Sequence, residues 1–437
     1  MRCILFPLAL MLLAAPAAAQ LRVDITSGVE APMPIAVPPF PTAAAQPTPA
    51  GSTAELGRQV AQIIANNLGG SGLFRPLPTA ALPAVGIAEV DRPLFGALRA
   101  AGPQALVTGF VNANPDGTLT VACALYDVFS EEQLLRQGFT VTPAGWRRAA
   151  HKCSDAVYSR LTGESGYFDS RIVYVAESGP RTNRVKRLAI MDQDGANHRF
   201  LTSGQSLVLM PRFSPRDETI SYMSFSENRP RVLIYNIQTG EQQQVGAFDS
   251  MSFAGRFSPD GRTLVFSVTR AGNADIYAYD VATRQTRRLT SGNSIDTSPS
   301  FSPDGRRIVF ESDRGGSQQL YVMNADGSGA QRISFGEGRA ASPVWSPRGD
   351  LIAFTRMRGG SFRIAVIRPD GSGERLLTDS WQDESPSWAP NGRVILFTRT
   401  DRSGRSQLRS IDLTGRNDRR IPTPLDASDP AWGPLLR

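Results

Sequence analysis

From about residue 170 onward, the chain alternates short apolar runs with polar turns. Six runs of the type "RIVYVAE", "TLVFSV" and "VILFTR" occupy corresponding places in successive segments. About ten residues after each run comes an alternating stretch such as "DIYAYD" or "QLYVMN", and then a turn rich in Asp and Gly. Alternation with a period of two, bounded by such turns, is typical of β-strands. Each segment therefore predicts four short strands.

An aromatic residue followed two positions later by proline opens each repeating segment. In four copies the motif ends in Gly, and proline with a following glycine predicts a tight reversal between two strands. Successive aromatic residues are separated by 44, 44, 44, 43 and 44 positions. This is the period of a β-propeller blade, and unrelated hairpins would not keep so constant a spacing. The aromatic residues are Phe213, Phe257, Phe301, Trp345, Trp388 and Trp432.

The first and last repeats are incomplete in complementary ways. The run "RIVYVAE" has no aromatic-proline motif before it, and the motif at Trp432 has no apolar run after it. If the C-terminal strand pairs with residues 172–175, both unpaired strand edges are covered. The sequence thus predicts six blades across 164–437, with the last strand of the chain closing blade one.

Residues 20–163 have a different pattern, which predicts an α/β domain with a mixed sheet. "LRVDIT" (21–26) and "PIAVPPF" (34–40) have strand character, and further strands are expected within 105–141. Ser52 and Glu55 form a capping-box pattern before an amphipathic helix, and helices are also expected near 92–101 and 144–161.

The first 19 residues have the pattern of a secretory signal peptide. Arg2 precedes an apolar stretch, and small residues at 17–19 provide a cleavage site before Gln20. The alternative, a membrane anchor, would need about 20 apolar residues, and this stretch is shorter. We therefore expect an exported mature protein without a transmembrane segment.

The formal net charge is +7, and it comes almost entirely from arginine. The arginines are scattered as single residues and pairs along the chain. Because nucleic-acid binding proteins concentrate basic residues on one face or helix, the sequence does not favour a nucleic-acid partner. Most of the arginines are interpreted as solvated residues at strand ends and turns.

Two cysteines, Cys123 and Cys153, remain after removal of the signal peptide. Strand alternation puts Cys123 on the apolar face with Leu119, and helical periodicity puts Cys153 on the buried stripe with Val157. Both sulfurs thus point into one small core. The pattern leaves two alternatives, a disulfide or two neighbouring buried thiols, and an oxidising compartment slightly favours the disulfide.

The sequence offers little for catalysis. It contains two histidines, His151 and His198, and no G-x-S-x-G nucleophile motif. A zinc site needs several His or Cys ligands, which the chain lacks. We expect His151 to be a surface or interdomain residue, and the protein to be neither an enzyme nor a metalloprotein.

The residues that directly precede the first strand of each blade are the candidate binding residues, because that strand should enter the central channel there. Several are acidic, and Arg339 opposes them. A protein loop or partner is the favoured ligand; a Ca²⁺ ion is a weaker alternative, since it needs converging oxygen atoms. The candidates are Met251, Asp296, Thr297, Ser298, Arg339, Asp383, Glu384 and Asp429.

Across the mature chain, the sequence resembles the TolB family of periplasmic Tol-Pal components. The N-terminal stretches "VDITSGVEAPMPIAVPPF", "ELGRQVAQIIANNLGGSGLFRPL" and "ALVTGFVNANPDGTLTVACALYDV" carry the resemblance most specifically. So does "WRRAAHKCSDAVYSRLTGESGYFDSRIVYVAESG". The propeller motif "FSPDGR" is shared by several families, so its combination with these stretches makes the resemblance specific.

The resemblance implies a non-enzymatic periplasmic adaptor, without a cofactor, that supports outer-membrane integrity and envelope constriction at division. The lipoprotein Pal would bind at the channel mouth, where Thr297 matches a family position directly and Met251 replaces a polar residue of some relatives. TolA would bind the mature N-terminus, and we expect a monomer held peripherally at the outer membrane through Pal. The TolA-binding residues would be Leu21, Arg22, Val23, Asp24, Ile25 and Thr26.

Overall fold

The computed structural model describes residues 21–23, 31–226, 229–246, 248 and 252–437. Residues 31–162 form an α/β domain with three α-helices. The helices are α1 (Thr53–Gly70), α2 (Phe95–Ala101) and α3 (Trp146–Thr162). The strands are β1 (Met33–Ala36), β2 (Pro47–Thr48), β3 (Gly51–Ser52), β4 (Phe74–Pro76), β5 (Ala105–Ala113), β6 (Leu119–Asp127) and β7 (Gln133–Val141).

Five of these strands form one mixed sheet in the order β4-β1-β5-β6-β7. β1 pairs in parallel with β4 and β5, and the remaining pairs are antiparallel. Apolar side chains of α1 and α3 pack on one face of the sheet, and Leu98 of α2 packs on the other. α1 begins at Ser52, whose Oγ accepts a hydrogen bond from the amide of Glu55, as the capping pattern predicts.

The two cysteines are buried in this α/β core as free thiols, so the slight preference for a disulfide is not met. Cys123 lies on β6 and Cys153 on α3, and the two side chains are in hydrogen-bond contact. Burial raises the pKa of the Cys153 thiol well above its usual range, and the neighbouring Cys123 adds to this effect. The second alternative, two neighbouring buried thiols, describes the structure.

Residues 21–23, which precede the α/β domain in the sequence, lie against it. The amide of Val23 donates a hydrogen bond to the carbonyl of Leu161 at 2.9 Å, and Leu21 and Val23 pack against the core. Residues 21–23 are not part of a strand. Asp24, Ile25 and Thr26, the rest of the predicted strand, lie outside the described residues.

The remaining strands form six four-stranded antiparallel sheets within the described residues, as predicted for a six-bladed propeller. Blade one is built from β31 (Asp426–Leu435), β8 (Ser170–Ser178), β9 (Val185–Asp192) and β10 (Arg199–Phe200). Blade two has β11 (Leu207–Phe213), β12 (Thr219–Ser226), β13 (Arg229–Asn236) and β14 (Gln242–Gln244). Blade three has β15 (Ser252–Phe257), β16 (Thr263–Arg270), β17 (Asn273–Asp280) and β18 (Thr286–Arg288).

The other three blades repeat this arrangement, and each has a fourth strand of two residues, as in blade one. Blade four has β19 (Asp296–Phe301), β20 (Arg307–Ser312), β21 (Gln319–Asn324) and β22 (Gln331–Arg332). Blade five has β23 (Arg339–Trp345), β24 (Ile352–Arg358), β25 (Ser361–Ile367) and β26 (Arg375–Leu376). Blade six has β27 (Asp383–Trp388), β28 (Val394–Thr400), β29 (Ser406–Asp412) and β30 (Arg419–Arg420).

Blade one is closed by the C-terminal strand, which confirms the prediction from the incomplete repeats. β31 pairs antiparallel with β8, and Trp432 lies opposite Ile172. The indole Nε1 donates a hydrogen bond to Ser170 Oγ at 2.9 Å, and the ring makes an edge contact with Tyr167 at a centroid distance of 5.6 Å. The last strand therefore covers the edge that β8 would otherwise leave open.

The α/β domain packs on the propeller face where the first strands end. α3 ends at Thr162, and the carboxylate of Glu164 binds Arg393 and Arg348, which lie in the turns after Trp388 and Trp345. The Glu164 side chain is only 17% exposed. Burial opposes ionisation, but the two guanidinium groups together hold the pKa of Glu164 below its usual value.

Candidate functional site

The propeller channel opens at two ends, and we call the end at which the first strands begin the mouth. Near the mouth, each first strand has a β-bulge against the second strand of its blade. In five blades a residue before a proline adopts a positive φ in this bulge: Met210, Ser298, Ser342, Ser385 and Asp429. A bulge reorients the side chains beside it, so the strands present polar groups to the channel.

Two of the predicted mouth residues, Asp296 and Asp383, are fully buried. Asp383 accepts two hydrogen bonds from Arg399, at 2.7 and 2.8 Å, and Asp296 pairs with Arg314 at 2.8 Å. These carboxylates hold the first strand to its neighbours and are not accessible to a partner. The expected acidic ring is therefore reduced to two residues, Glu384 and Asp429.

Thr297 and Ser298 face a buried carboxylate that the sequence did not reveal. Both hydroxyls donate to Glu311 Oε1, at 2.5 and 3.1 Å, and the amide of Ser342 donates to Oε2 at 2.6 Å. Burial raises the pKa of Glu311, while these hydrogen bonds act in the opposite direction. Glu311 thus links the first strands of blades four and five at the mouth.

Glu384, Asp429 and Arg339 are the charged candidates that the structure leaves accessible at the mouth. Glu384 is half-buried, and burial raises its pKa, with smaller contributions from the neighbouring charges of Asp429 and Asp383. Arg339 is exposed and has no carboxylate within salt-bridge distance among the described residues. Met251 lies outside the described residues.

Large exposed apolar side chains lie in the connections that lead into the first strands, on the same face of the propeller as the mouth, and the sequence interpretation missed them. They lie at the start of the first strand of blade two or shortly before the first strands of blades four, five and six, and are 40 to 71% exposed. A pattern in the sequence could have revealed them, since each directly follows a serine. The four residues are Leu207, Ile295, Phe335 and Trp381. Exposed apolar side chains grouped around a concave polar centre are typical of a surface that binds a protein.

His151 lies at the opposite face of the propeller, in the domain interface. It is 2% exposed, its Nδ1 faces the Asn67 amide at 2.9 Å, and its Nε2 lies 3.7 Å from Asp194. His151, Asp192 and Asp194 offer ligand atoms within 4.8 Å of one another, but Arg147 hydrogen-bonds to Asp194 at 2.5 Å. This guanidinium places a positive charge where a cation would have to bind, so we interpret the group as a polar contact between domains.

Both parts of the chain match known family models. Residues 21–134 match the TolB amino-terminal domain, and residues 158–436 match the TolB beta propeller domain. The chain belongs to the TolB family. In the part of the chain that the structure describes, no helix is long and apolar enough to cross a membrane.

Curated relatives in this family are similar over nearly the full length. The Tol-Pal system protein TolB of Zymomonas mobilis is 64% identical over 95% of this chain and 91% of its own. That of Rhizorhabdus wittichii is 63% identical over 98% of each chain. The crystal structure of TolB from Acinetobacter baumannii is 30% identical, with a TM-score of 0.81 over 95% of this chain and 100% of that one. The chain is therefore a component of the Tol-Pal system.

Proposed function

We propose that this TolB-family chain is a non-enzymatic periplasmic adaptor that binds Pal at the propeller mouth and TolA through its mature N-terminus. It would act without a cofactor and support the outer membrane and its constriction at division. The observation that carries the proposal is the rim of exposed apolar side chains at the mouth. This rim lies on the propeller face opposite the α/β domain, so a partner can bind there without displacing that domain.

The chemistry of the mouth fits a protein loop or helix better than a small molecule. Phe335 and Trp381 are 71 and 49% exposed and can serve as hydrophobic anchors. Arg339 and Glu384, at the starts of the first strands of blades five and six, provide charges of both signs for specificity. The bulged first strands hold these groups on a rigid framework, which limits the entropy lost on binding.

The Pal site is tested by calorimetry of the mature chain against Pal from the same organism. We expect Trp381→Ala and Phe335→Ala each to weaken binding by about tenfold or more, because truncation of a buried aromatic anchor typically costs about 2 kcal/mol. Phe129→Ala is the matched control, since Phe129 is 64% exposed but lies in the α/β domain. A Trp381→Ala, Phe335→Ala double variant with wild-type affinity would show that Pal binds elsewhere.

The TolA site is tested separately by deletion of residues 20–32. In the structure, Leu21 and Val23 are half-buried against the α/β core through one backbone hydrogen bond and a few apolar contacts. If the rest of the segment is held no more firmly than these described residues, it can leave its domain and add to the sheet edge of a partner. We expect the deletion to abolish capture of TolA and to leave Pal affinity unchanged; equal TolA capture by both chains would refute this assignment.

A further inference from the structure

The end of the channel opposite the mouth forms a concave site that we call the bowl. Its wall is made by the six aromatic-proline motifs, one from each blade, and its volume is about 390 Å³. β11 runs seven residues from the mouth at Leu207 to the bowl at Phe213, which corresponds to about 20 Å. The bowl is therefore a separate site from the proposed Pal surface, and it has the size of a small-molecule pocket.

Two arginines occupy the floor of the bowl. The residue directly before each aromatic residue lines the channel, and at this level four blades contribute small or apolar side chains. The neighbouring blades two and three contribute Arg212 and Arg256 instead. Both arginines line the same pocket, and the charge of Arg212 acts on Arg256, so the bowl floor carries two like charges.

No residue that the structure describes neutralises either guanidinium. Counting only residues that the structure describes, no carboxylate lies within salt-bridge distance of Arg212 or Arg256. Arg212 donates one hydrogen bond, to the carbonyl of Pro211 at 2.7 Å, and the charge of Asp429 acts to raise its pKa without forming a salt bridge. Burial lowers the pKa of both arginines, and the like charge lowers that of Arg256 further. Arg212 and Arg256 are half-buried, so they lose part of their hydration, and an anion that binds between them would compensate this loss.

The other enclosed arginines of the propeller are treated differently. Arg356 is 4% exposed and makes two hydrogen bonds to Glu374, and Arg399 makes two to Asp383. In both cases a carboxylate of the propeller is the partner of the arginine. Arg212 and Arg256 lack that partner at the floor of an open pocket.

We propose that the bowl binds an organic carboxylate with an apolar body. The planar fork of arginine matches a carboxylate with two parallel hydrogen bonds, and two neighbouring forks can hold both of its oxygens. The six aromatic and six proline side chains above them bury the apolar body, as in other small-molecule sites. The ligand is either a free small acid or the free C-terminal end of a peptide.

Recognition of an organic carboxylate by the bowl is tested with phenylacetate as the probe. Inorganic phosphate and the neutral phenylacetamide are the controls. By calorimetry and thermal melting of the full mature chain, we expect phenylacetate to bind and to raise the melting temperature. Phosphate lacks the apolar body and phenylacetamide lacks the charge, so each should bind at least tenfold more weakly. No saturable binding of phenylacetate, or equal binding of phenylacetamide, would overturn the proposal.

The two arginines are tested with Arg212→Met and Arg256→Met, and with Arg262→Met as the matched control. Arg262 is exposed in the turn of the same blade, so its loss removes the same charge outside the bowl. We expect both bowl variants to bind phenylacetate at least tenfold more weakly, while their melting temperature without ligand stays equal or rises. Arg256→Lys keeps the charge without the fork and should retain part of the affinity. A bowl variant with a lower melting temperature and unchanged binding would assign the arginines a structural role.

The source of the carboxylate is distinguished with the tripeptide Gly-Gly-Phe and its C-terminal amide. Binding by phenylacetate alone indicates a free small acid. Binding by the tripeptide but not by its amide indicates a chain terminus, and both results support carboxylate recognition. If the tripeptide amide binds as tightly as the free tripeptide, the bowl does not recognise a carboxylate.

Discussion

Trp432 should be the side chain on which closure of the ring depends most strongly. It is 8% exposed, its ring contacts Tyr167, and its indole N–H donates to Ser170 Oγ. Truncation of a buried tryptophan typically costs about 3 to 5 kcal/mol, including the cavity that it leaves. Loss of the hydrogen bond accounts for about 1 kcal/mol of this. We therefore expect Trp432→Ala to lower the free energy of unfolding by about 4 kcal/mol.

Thermal melting followed by circular dichroism measures this effect. In a domain of this size, 1 kcal/mol shifts the melting temperature by about 2 to 4 °C, so Trp432→Ala should melt about 8 to 16 °C lower. Trp432→Phe keeps a ring and should lose only about 1 kcal/mol for the hydrogen bond, because Phe occupies the corresponding position in blades two to four. Trp381→Ala is the control, since Trp381 is 49% exposed and its loss should change stability by less than about 0.5 kcal/mol.

Deletion of residues 429–437 tests the same closure without relying on one side chain. The deletion removes most of β31, exposes the edge of β8, and should replace one cooperative transition by a broad one at lower temperature. If Trp432→Ala melts within about 2 °C of the wild type, or if Trp381→Ala shifts the melt as far as Trp432→Ala does, the last strand does not hold the ring closed.

Three further predictions concern the interior and the domain interface. Burial holds the pKa of His151 below its usual value, so the neutral ring stabilises the fold at neutral pH and this stability is lost as pH falls below about 6.5. Between pH 7.5 and 5.5, the free energy of unfolding of His151→Asn should fall by about 1 kcal/mol less than that of the wild type in denaturant titrations. Equal decreases in the two proteins would contradict this prediction. Glu164→Gln should weaken the contacts with Arg348 and Arg393 and increase the rate of proteolysis between the domains, whereas Glu131→Gln, at an exposed ion pair, should leave this rate unchanged. Equal rates for the two variants would refute the role of Glu164. Titration of unfolded, unreduced protein should count two thiols for Cys123 and Cys153, and a count of none would show a disulfide.

Local side-chain chemistry made the propeller predictable. The proline and glycine of each turn, the alternation of each strand and the spacing of Phe213 to Trp432 all act within one repeat. Closure could be predicted too, because an unpaired strand at each end of the repeat array leaves few ways to cover both edges.

The binding faces were harder to predict because their chemistry depends on contacts between blades or between distant residues. Asp383 looked accessible, but Arg399, 16 residues further along the chain, encloses and pairs it. Arg256 resembled the many solvated arginines, and only the closed ring places it on the channel floor beside Arg212. The cysteines were placed correctly in one core, but neighbouring positions alone did not determine whether a bond joins them.

The pairing of β8 with β31 has a consequence for the order in which the chain is made. Ser170 and Trp432 touch in the folded protein but are 262 residues apart in sequence. Until β31 is available, blades two to six can form in order, while β8 has no partner and its edge can pair with other chains. Only chains synthesised through β31 can close the ring, so incomplete chains keep an open edge that chaperones and proteases can recognise.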